Sequence, residues 1–119
     1  EMSDALKRRC LHLFVPFPDA KLEQRIIKAR VPAIPDSLKV QLVDFVQQVR
    51  EMDLKKQPSV SETIDWARVL LLLHATSLDA DVVRETLNVF LKFEEDIHAV
   101  DQQLYEFTRH AQKADARVA

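Results

Sequence analysis

Glycine is missing from all 119 residues. Average usage is roughly seven per cent, so the absence excludes whole classes of site. A Walker A loop and a GxGxxG turn both need glycine to bring backbone N–H groups against phosphate. Helices lose their favoured C′ residue and are expected to stop at Pro, Asn or polar turns. Tight type I′ hairpins lose theirs as well. Cysteine occurs once, as Cys10, so no disulfide forms within the chain, and a reducing cytoplasmic setting is the simplest expectation. Long apolar runs are lacking too. The densest, 70–73, is far too short to span a bilayer, and no signal peptide is visible. The charge excess is small: 17 bases and 19 acids are interleaved, for a net charge of −2. That gives no long-range pull toward nucleic acid or an anionic membrane, and neither is expected as a partner.

What remains is a helix-forming sequence, 47% apolar, of a length suited to one domain or to a small domain plus a fragment. Ser3 or Asp4 caps a short helix to about Arg9. Residues 10–15 are rich in strand formers and end at Pro16 and Pro18. One strand cannot be a sheet, so this segment reads as the last piece of an α/β core lying outside the chain. Glu1 before Met2, and the abrupt opening, also suggest a piece of a longer protein.

Asp19 caps a helix over 20–30 with Leu22, Ile26, Ile27 and Ala29 as its apolar face. Residues 31–35 form a rigid Pro-containing connector. Leu38, Leu42, Phe45, Val46 and Val49 lie on one face of a helix over about 36–52. Ser59 and Glu62 have capping-box spacing and open a helix to about 75. That helix is apolar nearly all round, so it is expected to be the buried centre of a bundle. Ser77 or Asp79 caps a further helix with Val82, Val83, Thr86, Leu87, Phe90 and Leu91 inward. A last helix starts near Lys92, or continues the one before it, with Phe93, Ile97, Val100, Leu104 and Phe107 at heptad spacing. Residues 109–119 read as a polar, frayed tail.

The motifs Asp-Ala-Leu-Lys-Arg-Arg-Cys at 4–10, Pro-Phe-Pro-Asp at 16–19 and Ser-Val-Ser-Glu-Thr-Ile-Asp-Trp-Ala-Arg at 59–68 now stand in order with the helices. Together they resemble the C-terminal end of a MoxR-family AAA+ ATPase, to about residue 105. The resemblance implies a mostly α fold: the end of an AAA+ core over 1–18, a four- to five-helix lid over 19–108, then the tail. It implies that Arg9, with Arg8 as alternate, is the arginine finger reaching a γ-phosphate held by a neighbouring subunit. It further implies ATP and Mg²⁺ in the parent protein, with no cofactor held by this fragment. The partners would be other subunits of a ring, as a hexamer, and a protein bearing a von Willebrand factor A domain. The parent would be a chaperone-like remodelling or maturation ATPase, and the fragment itself not an enzyme. Ser61 falls where the family carries a sensor arginine, a departure from the pattern. Arg68, two turns on, is the other candidate for nucleotide contact.

Plain readings stand beside these. Taken alone, Lys7-Arg8-Arg9 is a charge run at a helix end, where cations suit the macrodipole. Arg68 pairs with Asp65 or Glu62, and Trp66 belongs to the core. Lys55-Lys56 is a wet loop. Glu95-x-x-His98 has the spacing of a carboxylate di-metal bundle, but no second copy follows it. No nucleophile–base constellation is visible. The alternative to the lid is a free-standing helical interaction module without nucleotide chemistry, in which residues 10–15 pair internally or are helical. A helical DNA binder ranks below both, because no helix is seen to carry a basic face.

Overall fold

A computed structural model describes residues 17–118. The expected short helix, the expected strand over 10–15, and Arg8, Arg9 and Cys10 lie outside the described residues. Within them the chain forms six helices and no strand: α1 (Ala20–Arg30), α2 (Asp36–Arg50), α3 (Val60–Leu72), α4 (Ala80–Phe90), α5 (Glu94–Gln102) and α6 (Leu104–Val118). A mostly helical bundle is therefore present, with six helices where four or five were expected.

Local chemistry starts three of these helices. Asp19 accepts the Leu22 N–H at 2.8 Å, and Asp79 accepts the Val82 N–H at 2.9 Å. At α3 the expected capping box is complete: the Ser59 hydroxyl accepts the Glu62 N–H, and the Glu62 carboxylate accepts the Ser59 N–H. Each satisfies a donor that the helix itself leaves unpaired.

The buried centre is α2, not α3. It packs against α1, α3 and α6. Leu38, Leu42, Phe45, Val46 and Val49 are fully buried as the periodicity requires, and Val40, Gln41, Val43 and Arg50 are buried as well. Helix α3 buries Ile64, Trp66, Ala67 and Leu70, but its end emerges, with Leu72 78% exposed. Apolar composition alone overstated its burial, because only one side of α3 meets neighbours. The heart of the core is aromatic. Trp66 stacks on Phe90 with centroids 4.1 Å apart, and Phe45 meets Trp66, Phe90 and Phe107. The buried indole N–H donates to the Thr86 hydroxyl at 2.8 Å, and that hydroxyl donates to the Val82 carbonyl. The large ring is thus buried with its polar atom satisfied.

Helix α3 stops earlier than expected, and not at a proline, an asparagine or an ordinary polar turn. His74 takes φ 57°, the left-handed region. Its N–H donates to the Leu71 carbonyl, and the Ala75 N–H donates to the Leu70 carbonyl. These are the two bonds of a Schellman motif, with histidine in the place glycine usually holds.

The last third differs most from expectation. Leu91 is extended at φ −114°, ψ 135°, which separates α4 from α5, and Gln103 breaks the expected final helix again into α5 and α6. Residues 109–118 are not a frayed tail. They are the second half of α6, which packs along α2. Ala111 is fully buried, Gln112 donates to the Leu78 carbonyl at 3.0 Å, and the Ser37 hydroxyl donates to Asp115 at 2.6 Å. Buried Gln41 ties the same region together, accepting the Leu78 N–H and donating toward Ser37 and Asp115. No described helix is long and apolar enough to cross a membrane.

Candidate functional site

The site residues proposed from sequence fall in two places. Arg8 and Arg9 precede the described residues. Ser61 and Arg68 both sit on the outward face of α3, seven positions apart. At 1.5 Å of rise per residue they are separated by about 10 Å along the helix. Asp65 lies between them, 3.9 Å from Arg68, with both side chains more than half exposed. The structure therefore places the two candidates on one surface without bringing them into contact.

Around the start of α3 the chain assembles a cluster of lysines and carboxylates. The backbone N–H groups of Lys55 and Lys56 donate to the two oxygens of buried Asp96, at 2.7 and 3.0 Å. This fixes the loop before α3 onto the first turn of α5. The Lys55 ammonium reaches Glu95 at 3.3 Å and lies over the Phe93 ring. Lys56 and Lys92 both approach Glu62, at 3.1 and 3.5 Å. Burial alone would push the Glu62 carboxyl up. The Ser59 N–H, the Lys56 ammonium and the Ser59 hydroxyl outweigh it and hold that carboxyl below its usual range. Glu95 is likewise held low, by its own backbone N–H and then by Lys55. Each lysine thus has a carboxylate partner, which leaves no concentrated positive field for a phosphate.

A second constellation lies at the point where the described chain begins. Glu23 is fully buried on α1. Arg50, at the end of α2, grips it with a planar fork, Nη1 to Oε1 at 2.7 Å and Nη2 to Oε2 at 2.8 Å. Two further donors are used: Nε to the Pro58 carbonyl at 2.9 Å and Nη2 to the Thr63 hydroxyl at 3.3 Å. Gln47 donates to Glu23 at 2.8 Å and to the Pro18 carbonyl at 3.1 Å, and the guanidinium carbon lies 4.5 Å from the centre of the Phe17 ring. One buried ion pair thus fastens residues 17–18, α1, α2 and the start of α3 together.

Sequence reasoning missed this clasp. It assigned the buried face of α1 to Leu22, Ile26, Ile27 and Ala29, yet Leu22 and Ala29 are exposed, and Glu23 and Ile27 are buried. The helix is rotated by about one residue, because Arg50 supplies the partner that lets an acid face inward. The available signal was Glu23 standing four positions before Ile27. Arg50 similarly follows Val46 at helical spacing.

A shallow groove of about 400 Å³ runs between the first turn of α4 and α6, lined by Asp79, Ala80, Asp81, Tyr105, Thr108, Arg109 and Gln112. Its polar groups are partly committed, Asp79 to its cap and Gln112 to Leu78. His98 is exposed and lies 3.1 Å from the Gln102 side-chain nitrogen. No group of three or more His, Cys, Asp or Glu side chains placed to hold a metal occurs among the described residues. No protein-family model, curated protein or solved structure matches the chain.

Proposed function

We propose that this chain is the lid and arginine-finger portion of a MoxR-type AAA+ ATPase that remodels or matures other proteins. One observation supports the reading above the others. The helical bundle opens at Asp19, directly after the Arg8-Arg9 pair and the Pro-x-Pro stop, and residues 17–18 are clamped onto it by Arg50 and Gln47. A segment serving phosphate and a helical cap would then share one rigid joint. In this reading Arg9, or Arg8 in its place, donates to the γ-phosphate of a neighbouring subunit. A guanidinium suits the task because its fork of donors stays charged at any working pH. Stabilising the charge on the transferred phosphoryl group in this way raises turnover by about 10³–10⁵-fold. The parent protein supplies the phosphate loop, ATP and Mg²⁺.

In the same reading Ser61 and Arg68 are the lid residues that face the nucleotide. An exposed hydroxyl on the first turn of α3 gives a nucleotide one neutral donor where the family offers a cation. Arg68 is outward and paired with Asp65. The lid would therefore close over nucleotide with less direct charge than the family pattern.

The test is Arg9→Ala in the protein carrying its nucleotide-binding core. Turnover of ATP is expected to fall by about three orders of magnitude or more with nucleotide affinity retained. Turnover equal to the parent's would remove the finger assignment. The 119-residue chain alone should show no heat of ATP binding by calorimetry. The alternative, a free-standing interaction module, is favoured by one feature: a charged outer face on α1 that no other described element covers.

A further inference from the structure

Helix α1 contains four cations and one acid. The acid, Glu23, faces inward and is neutralised by Arg50. Lys21, Arg25, Lys28 and Arg30 are all exposed, so the outer surface of α1 is basic after all. Lys28 reaches Asp36 at 3.5 Å, while Lys21, Arg25 and Arg30 form no ion pair within the described residues. The same surface carries Leu22, 42% exposed, and the exposed Ala29.

The opposite charge lies elsewhere on the molecule. Residues 79–101 hold seven acids and two bases. Asp96 is occupied by backbone N–H groups and Asp101 by Arg84 at 3.0 Å. Asp81, Glu85, Glu94 and Glu95 remain exposed, and Glu85 and Glu94 have no ion-pair partner within the described residues. Phe93 is exposed beside Glu94. Helix α1 packs on α2 and α3, whereas α4 packs on α3, α5 and α6, and α5 packs on α4 and α6. Among the described residues no ion pair joins these two surfaces within one copy.

We propose that the basic outer face of α1 docks on the acidic α4–α5 pair of a second copy of this chain. The contact joins two different patches, either head-to-tail from copy to copy or reciprocally in a two-fold dimer. Complementary charge sets register and speeds encounter, and Leu22 and Ala29 add apolar surface to the basic face. A phosphate backbone would match the cations but not these two residues. The inference goes beyond the ATPase reading, since it needs neither nucleotide nor a core domain.

Analytical ultracentrifugation of the 119-residue chain tests it. At about 25 mM salt, where screening is weak, concentration-dependent self-association is expected, and it should be lost near 500 mM. Lys21→Glu/Arg25→Glu and Glu85→Lys/Glu94→Lys should each weaken association at least tenfold without lowering the melting temperature. An equimolar mixture of the two variants should associate again, because the reversed patches complement each other. A monomeric parent at low salt, variants that associate like the parent, or a mixture that stays monomeric would each overturn the proposal. So would salt-sensitive binding of a fluorescein-labelled single-stranded 20-mer that needs Lys21 and Arg25 in a chain that does not self-associate. Arg9→Ala should associate like the parent, which separates this contact from the finger.

Discussion

Two groups of charged residues flank the same helix and behave differently. At the side of α3 that meets α1 and α2, Arg50 and Glu23 form a buried two-pronged pair, with side chains 5% and 0% exposed. At its solvent side, Lys55, Lys56 and Lys92 reach Glu95 and Glu62 through partly exposed ammonium groups. The residue types are alike, but the surroundings are not. Water and salt screen the ammonium groups and Glu95 of the second group, although the Glu62 carboxylate is itself buried, and pairs between exposed, flexible charges contribute about 0–1 kcal/mol each. The first group is removed from water and is tolerable only because nearly every donor and acceptor in it is used. The lesson concerns removal. Losing one partner matters little where water can replace it and greatly where water cannot.

Arg50→Ala should separate the two groups most sharply. It leaves the Glu23 carboxylate buried with Gln47 alone, and unfolding stability is expected to fall by about 3–5 kcal/mol in urea titrations. Replacing both partners, as Glu23→Leu with Arg50→Met, should recover most of that loss. A double variant as unstable as the single one would mean that the clasp contributes through geometry and not through a stranded charge.

The next effect is smaller and depends on pH. The folded-state pKa of Glu62 lies below its ordinary value of 4.5. Its contribution is therefore complete above about pH 4.5 and declines as pH falls through the lower folded value. Glu62→Gln keeps the capacity for a capping box but does not titrate. The stability gap between the parent and Glu62→Gln should be largest at pH 6–7 and shrink on acidification, read from denaturation midpoints. A gap independent of pH would place the effect in the cap and not in the charge. Smallest of all, Lys55→Ala should cost no more than about 1 kcal/mol, and the difference should fade at 0.5 M salt. A loss as large as that of Arg50→Ala would abolish the contrast between the two groups.

Much of the architecture was readable from local pattern. The caps at Asp19, Ser59 and Asp79 and the buried face of α2 depend on residues within a turn or two of each other, where spacing carries the information. The clasp was not readable in that way, because Glu23 and Arg50 are 27 positions apart. A lone acid on an amphipathic helix is normally assigned to solvent. That assignment also hid the basic surface of α1, since turning Glu23 inward strips the outer face of its acid. Similarly, residues 109–118 looked like a tail because few of them are large and apolar: Ala111 is buried, while Gln112 and Asp115 dock by hydrogen bonds to the loop before α4 and to α2. Of the proposed nucleotide-facing residues, Ser61 and Arg68 lie on one outward face of α3, and helical spacing carries no information about a ligand.

The turn at His74 has a consequence for which replacements the chain can accept. A positive φ there is set by the two carbonyls of α3 that the turn satisfies, not by anything the imidazole touches. Side chains branched at Cβ collide with their own backbone in that conformation, whereas glycine and asparagine do not. Position 74 is therefore constrained by the handedness of its backbone, and valine, isoleucine and threonine are excluded from an exposed site that polarity and size alone would leave open.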